Sequence, residues 1–209
     1  ELHFTFLPRR MNKAMLAAIV RIGLPLGLNM YENLFFWVAF FHSLDFDLVI
    51  SDISSRQLYA KGQYSVPSDT ACYPAKLMHG HIENLLDKDV DTIFYPCMSY
   101  NFNEEKGDNH FNCPVVAYYP ELLASNVEKL KNIRYLYPYL NLAERKTFPK
   151  KVWEALHEQY PDITLKEVKH ASDEAYEAYQ AQRRGIKEKG AQMLTQARAR
   201  GVKTIILSG

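Results

Sequence analysis

Val66–Cys97, VPSDTACYPAKLMHGHIENLLDKDVDTIFYPC, decides how the rest of this chain is read. It runs as a loop, an amphipathic helix and a short buried strand. Ala75, Met78, Ile82, Leu85 and Leu86 fall on one stripe at helical spacing, which predicts a helix over Pro74–Asp87. Pro74 suits the first helical position, where its missing N–H costs nothing. Lys88-Asp89 ends the helix, and Asp91-Thr-Ile-Phe-Tyr reads as a strand closing at Pro96-Cys97. Cys72 therefore stands just ahead of a helix N-terminus, where free N–H groups and the dipole favour a thiolate. Cys97 leaves a strand end. Two cysteines at the junctions of one β/α unit lie where α/β proteins place ligands.

Working outward, Arg21–Leu28 (RIGLPLGL) reads as the first strand and its turn. Asn29 offers an N-cap, with Glu32 three residues on as in a capping box. Met30–Leu44 then places Leu34, Trp37, Val38, Phe41 and Leu44 at helical spacing, a stripe that belongs to a core. Asp47–Ser51 is the second strand, and Ile53–Lys61 a short helix closed by Gly62. Beyond Cys97, Met98–Asn112 has no periodicity and reads as a long loop. Val115–Tyr118 is expected as another strand, Glu121–Asn132 as a short helix and Ile133–Tyr137 as the next strand. Ala143–Tyr160 is helical, starting firmly near Lys150. Thr164–Arg200 is a long charged helix with few apolar residues, interruptible at Gly185 or Gly190.

The expectation is a doubly wound α/β domain with a mainly parallel sheet, a Rossmann- or flavodoxin-like lobe, followed by a long C-terminal connector helix. Its divisions are a leading arm over 1–20, the α/β domain over 21–163 and the connector over 164–200. Residues 201–209 read as the first strand, Val202–Leu207, of a truncated second lobe. The chain starts at Glu1 and stops at Ile205-Ile-Leu-Ser-Gly209, and so reads as a fragment.

The 209 residues are 47% hydrophobic and 23% charged with net charge +1, which suits a globular domain and gives no footing for nucleic acid or an anionic membrane. No apolar run reaches the roughly 20 residues needed to span a bilayer. Three cysteines without paired spacing point to a reducing, cytoplasmic setting. Gly23 and Gly27 lack the third glycine of a dinucleotide fingerprint. A phosphate loop, a nucleophile elbow and a zinc-protease helix are all absent, so the stretch holds no ATP-binding motif and no complete catalytic site.

Cys72 and Cys97 are 25 residues apart, which matches no compact metal motif; as residues they are either ligands or small buried hydrophobes. Cys113 precedes the predicted strand at Val115, so a loop must fold back to bring it near Cys97. His79 and His81 are two apart on a helix and point in opposite directions, so they cannot share an ion. His79 shares a face with Lys76 and Glu83. That face is either a satisfied surface network or a polar lining of the Cys72 site, which makes Lys76 and His79 the candidate cofactor-binding pair. His110, beside Asp108 and Asn109, is a loop hydrogen-bonder.

SDTACYPAKLMHGHIENLL (68–86), DTIFYPC (91–97) and DNHFNCPVVAYYPE (108–121) together resemble a domain of the large CoA-substrate-specific enzyme activases. Those are activators of 2-hydroxyglutaryl-CoA and related 2-hydroxyacyl-CoA dehydratases. The resemblance spans Arg21–Gly209, and the domain is in turn similar to the dehydratase subunits, which carry iron–sulfur clusters on cysteines. It implies Cys72 and Cys97 as cluster ligands, with Cys113 as a third candidate, and a cluster of the 4Fe–4S kind left incomplete or absent without the second lobe. It implies as partners the rest of the polypeptide, with its ATP-dependent activator modules, and a 2-hydroxyacyl-CoA dehydratase or other CoA-dependent enzyme. Three roles follow from the resemblance: an electron-relay module, a docking domain that keeps the fold without the cluster, and a hydro-lyase lobe.

Overall fold

The computed structural model describes residues 20–103 and 107–204. The expected leading arm at 1–19 and the end of the expected strand Val202–Leu207 lie outside them; residues 202–204 have no regular structure. Four strands, β1 (Arg21–Leu24), β2 (Asp47–Ile50), β3 (Thr92–Phe94) and β5 (Arg134–Leu136), form a parallel sheet in the order β2-β1-β3-β5. This is a doubly wound arrangement whose strand order reverses between β1 and β3, the crevice where such sheets bind ligands. Two further strands, β4 (Cys97–Tyr100) and β6 (Tyr139–Asn141), pair in parallel as a separate small sheet.

Helices cover both faces. On one side lie α2 (Leu34–Ser43), α6 (Phe148–His157) and α7 (Leu165–Ala199); α3 (Arg56–Gly62), α4 (Tyr73–Leu86) and α5 (Pro114–Asn126) build the side that carries the cysteines, and the short α1 (Leu28–Glu32) touches both α2 and α4. The α2 sequence LFFWVAFFHS is apolar nearly all round, and such a helix must be enclosed. Phe36, Trp37, Phe40 and Phe41 are fully buried. Phe36 meets Phe148 of α6 at 5.4 Å and Tyr176 of α7 at 5.0 Å, while Trp37 meets Phe94 of β3 at 5.0 Å between ring centroids.

Several sequence expectations are corrected. The helix expected over Met30–Leu44 is two helices. Asn29 lies inside α1 rather than capping it; Gly27 is the N-cap, and no capping box forms. Helix α4 starts at Tyr73, so Pro74 holds its second position. Pro96 interrupts the extended run, so Cys97 opens β4 instead of closing β3. The expected strand Val115–Tyr118 lies within α5. Pro114 stands at its first turn, and the burial of Ala117, Pro120, Leu123 and Val127 at helical spacing outweighs the β-branched pair Val115-Val116. The helix expected over Glu121–Asn132 is the end of α5 followed by a 3₁₀ turn, and α6 runs only from Phe148 to His157. Helix α7 passes through Gly185 and Gly190 without a break. Its first half is buried against α2 and α6 through Val168, Ala171, Ala175, Tyr176 and Tyr179; beyond these, Ile186, Met193 and Leu194 are exposed.

Helices α3 and α4 approach through two glycines. A Cβ on Gly80 would sit 2.1 Å from the Leu58 carbonyl oxygen, and one on Gly62 would sit 2.2 Å from the Gly80 nitrogen. Backbone atoms cannot swing aside. Gly80→Ala is expected to lower stability by more than about 2 kcal/mol, despite alanine's better helix propensity, because the two helices must separate. Urea denaturation checks this; an unchanged midpoint would show that the helices part freely.

Candidate functional site

The three cysteines fall on the α4–α5 side of the domain, and two of them are equivalent. Cys72 is the N-cap of α4 (φ −63°, ψ 152°) and Cys113 is the N-cap of α5 (φ −62°, ψ 153°). A proline follows in the first turn of each helix, and neither cap side chain bonds its own helix. The first intrahelical bonds are Lys76 N to Cys72 O at 3.1 Å and Ala117 N to Cys113 O at 3.0 Å. The N–H groups before them have no partner within the helix and present positive charge to the cysteine end. Both cysteines are exposed, and all three are free thiols.

Cys97 differs. It is fully buried where β4 begins, with its own N–H bonded to the Pro138 carbonyl at 2.9 Å. Burial pushes its thiol up to about 11, opposed by hydrogen bonds from the Glu121 backbone and from Tyr139. Those partners place the sulfur against α5, the helix that Cys113 caps. Among the described residues, no group of three or more His, Cys, Asp or Glu side chains is gathered closely enough to hold one metal ion.

Two buried tyrosines and a buried histidine lie among the cysteines. His79 receives or gives hydrogen bonds at both ring nitrogens, Nδ1 with Ser65 Oγ at 2.8 Å and Nε2 with the Tyr119 hydroxyl at 3.0 Å. It therefore reaches the cysteine side only through Tyr119. Burial, and then charge at Cys72, pushes the Tyr119 hydroxyl up to about 12. Tyr95 is fully buried just after β3, and burial first, with charge at Cys97, Tyr119 and Cys113 after it, pushes its hydroxyl well above its ordinary value. Lys76 turns away from His79, its Nζ bonded to the Asp69 carbonyl at 2.7 Å, and so braces the loop that leads into Cys72. Glu83, also expected on the His79 face, is buried and bonded to Lys129 at 2.6 Å and to Tyr64. An open groove of about 660 Å³ runs between that loop and α5, lined by Pro67, Ala71, Pro114, Tyr118, Tyr119 and Leu122 among others.

His81 points the other way, as its spacing from His79 requires. Its Nδ1 lies 2.8 Å from Ser51 Oγ and its Nε2 lies 3.0 Å from Ser54 Oγ, at the end of β2. Burial lowers both His79 and His81 to about 4, each partly offset by a carboxylate, Glu83 for the first and Asp52 for the second. Both rings are thus neutral in the fold, whereas in the unfolded chain they take up protons below about pH 6.5. The unfolded state binds more protons between these limits, so stability is full above pH 6.5 and falls as the pH drops towards 4. Between pH 7 and 5 the expected loss is about 2 kcal/mol per histidine. Urea midpoints at the two pH values measure it, and equal midpoints would mean that the rings are charged in the fold.

Sequence reasoning missed Tyr95, Tyr119 and Ser65. For Tyr95 the available signal was its place in Tyr95-Pro96-Cys97; Tyr119 and Ser65 carry no local signal.

The fold is a doubly wound, parallel α/β domain with cysteines at two matching helix starts and a third inside. The chain belongs to the family described as CoA enzyme activase uncharacterised domain (DUF2229), which matches residues 21–209. No curated protein and no solved structure matches it. Among the described residues, no helix is long and apolar enough to cross a membrane.

Proposed function

We propose that this domain is the electron-relay module of a CoA-enzyme activase, holding an iron–sulfur cluster on Cys72, Cys97 and Cys113. The observation that carries the reading is the duplicated cysteine cap of α4 and α5. Each cap leaves a thiol unused by its own helix and backs it with N–H groups that stabilise sulfur charge. The buried third thiol and the unpartnered hydroxyl of Tyr95 suit the same occupant. When bound, the cluster supplies one-electron transfer.

The chain's own residues bind and shield. Cys72 and Cys113 offer ligands from rigid helix ends, and Cys97 offers one from the interior, where water is excluded. Lys76 fixes the approach to Cys72, and His79 holds the Tyr119 hydroxyl in place. On this reading the recipient of the electron is a 2-hydroxyacyl-CoA dehydratase or related CoA-dependent enzyme, and a second lobe of the same polypeptide closes over the site.

A second reading, a docking domain that keeps the fold without the cluster, draws on the open and largely apolar groove beside α5. Anaerobic isolation of the full-length protein with iron and sulfide analysis separates the two. The relay reading expects stoichiometric iron and sulfide that depend on the cysteines; colourless, iron-free protein would leave the docking reading.

A further inference from the structure

Helix α7 carries one stripe along its length, and only the first half of that stripe is covered. Ser172, Tyr176 and Tyr179 are buried against the body of the domain. The same alternation of four and three residues passes Arg183 and reaches Ile186, Gly190, Met193 and Ala197, with Leu194 beside them. Ile186, Met193 and Leu194 are exposed. A Cβ on Gly190 would meet nothing within 4 Å, so between Ile186 and Met193 the seam has an open hollow that takes a neighbour's side chain.

The charges beside this seam say what fills it. Residues 182–203 hold seven basic side chains and one acidic, Glu188, in a chain whose net charge is only +1. At helical spacing Lys187 and Arg198 line one edge of the seam, and Lys189 and Arg200 line the other. Glu188, Gln192 and Thr195 fall on the far face. Arg183 heads the seam, its guanidinium over the Tyr179 ring. Two copies of the chain paired through this seam would set basic edge against basic edge, which opposes such pairing. A flat bilayer cannot reach the seam, because α2 and α6 pack on the same side of α7. Nucleic acid would meet the charges and leave the apolar positions uncovered. A slim element fits: an open hollow of about 340 Å³ lies between α1 and α7, at Tyr31, Glu32, Ile186 and Lys187.

We propose that the second half of α7 is the docking surface for an acidic amphipathic helix of a partner protein. The apolar residues of that helix fill the seam from Ile186 to Ala197, and its carboxylates face Lys187, Lys189, Arg198 and Arg200. This is the pairing expected of a helix with apolar seam positions and basic edges. The inference is independent of the electron-relay reading, since it draws on no cysteine.

The test is titration of the 209-residue chain with a labelled synthetic peptide, followed by fluorescence anisotropy. The peptide has about four heptads, with leucine at a and d and glutamate at e and g. The same peptide with lysine in place of glutamate is the control, and it should bind about tenfold more weakly or worse. Ile186→Ala/Met193→Ala should weaken the acidic peptide about tenfold or more. Lys187→Glu/Lys189→Glu should do the same and should now favour the lysine peptide. All four positions are exposed, so both double variants should unfold at the wild-type midpoint. Failure of the acidic peptide to bind, equal binding of the two peptides, or binding unmoved by either double variant overturns the inference. So does a dimer seen by light scattering and lost in Ile186→Ala/Met193→Ala, which assigns the seam to a second copy. Binding to phosphatidylglycerol vesicles or duplex DNA that the same variant abolishes overturns it as well.

Discussion

Cys72→Ser and Cys113→Ser are each expected to lower the iron bound by the full-length protein more than about tenfold. Losing a group that merely orients a metal ligand already costs about 10–100-fold in affinity, and these changes remove the ligands themselves. The two variants should behave alike, because the two cysteines cap their helices with the same backbone geometry and the same lack of a side-chain bond. Both are exposed, so serine should leave stability within about 0.5 kcal/mol, and lost iron then reports on binding rather than on folding. Cys97 requires more care. Its sulfur is buried against α5, and a serine hydroxyl there must find partners or cost about 1–3 kcal/mol, so Cys97→Ala with a stability control is the cleaner variant. Iron and sulfide per chain, measured anaerobically beside circular dichroism, decide the matter. Full iron in both the Cys72 and Cys113 variants would end the cluster proposal and favour docking.

Phe36→Ala is expected to cost about 3–5 kcal/mol, a large share of the stability of a domain this size. Its ring touches Trp37, Phe40, Phe102, Phe148 and Tyr176, so one truncation loosens α2 from α6 and α7 together. The far half of α7 gives the opposite expectation. Ile186 is 61% and Met193 60% exposed, and alanine at either should change the unfolding midpoint by no more than about 0.5 kcal/mol. Chemical denaturation of the three variants side by side tests both statements. Should Phe36→Ala cost less than about 1 kcal/mol, the aromatic cluster would not be what joins the two ends of the chain.

Much of this architecture could be read from sequence, and the failures share a cause. The apolar runs at Arg21–Leu24, Asp47–Ile50 and Thr92–Phe94 are strands as read, and the stripe from Ala75 to Leu86 is the helix that Cys72 caps. The opposed directions of His79 and His81 also follow from spacing alone. The family resemblance carried on the cysteine motifs agrees with the family match. By contrast, Pro114-Val115-Val116-Ala117-Tyr118 looks extended and folds as a helix, because the choice depends on Ala117, Leu123 and their burial beside β4. That change of element turned Cys113 from the edge of a strand into the twin of Cys72.

The sequence by itself determined the alternation of strand and helix, the cysteine at the start of α4 and the enclosed aromatic helix, since each depends on periodicity and end signals within a dozen neighbouring residues. Only the tertiary structure decided that Cys97 is buried at the start of a second sheet, that His79 is spent on Ser65 and Tyr119, and that Tyr95 keeps a proton without a partner. The outcome for His79, for example, depends on Ser65 and Tyr119, 14 and 40 positions away along the chain. Hydrogen bonds across such distances are set by how the elements pack and leave no local pattern in the sequence.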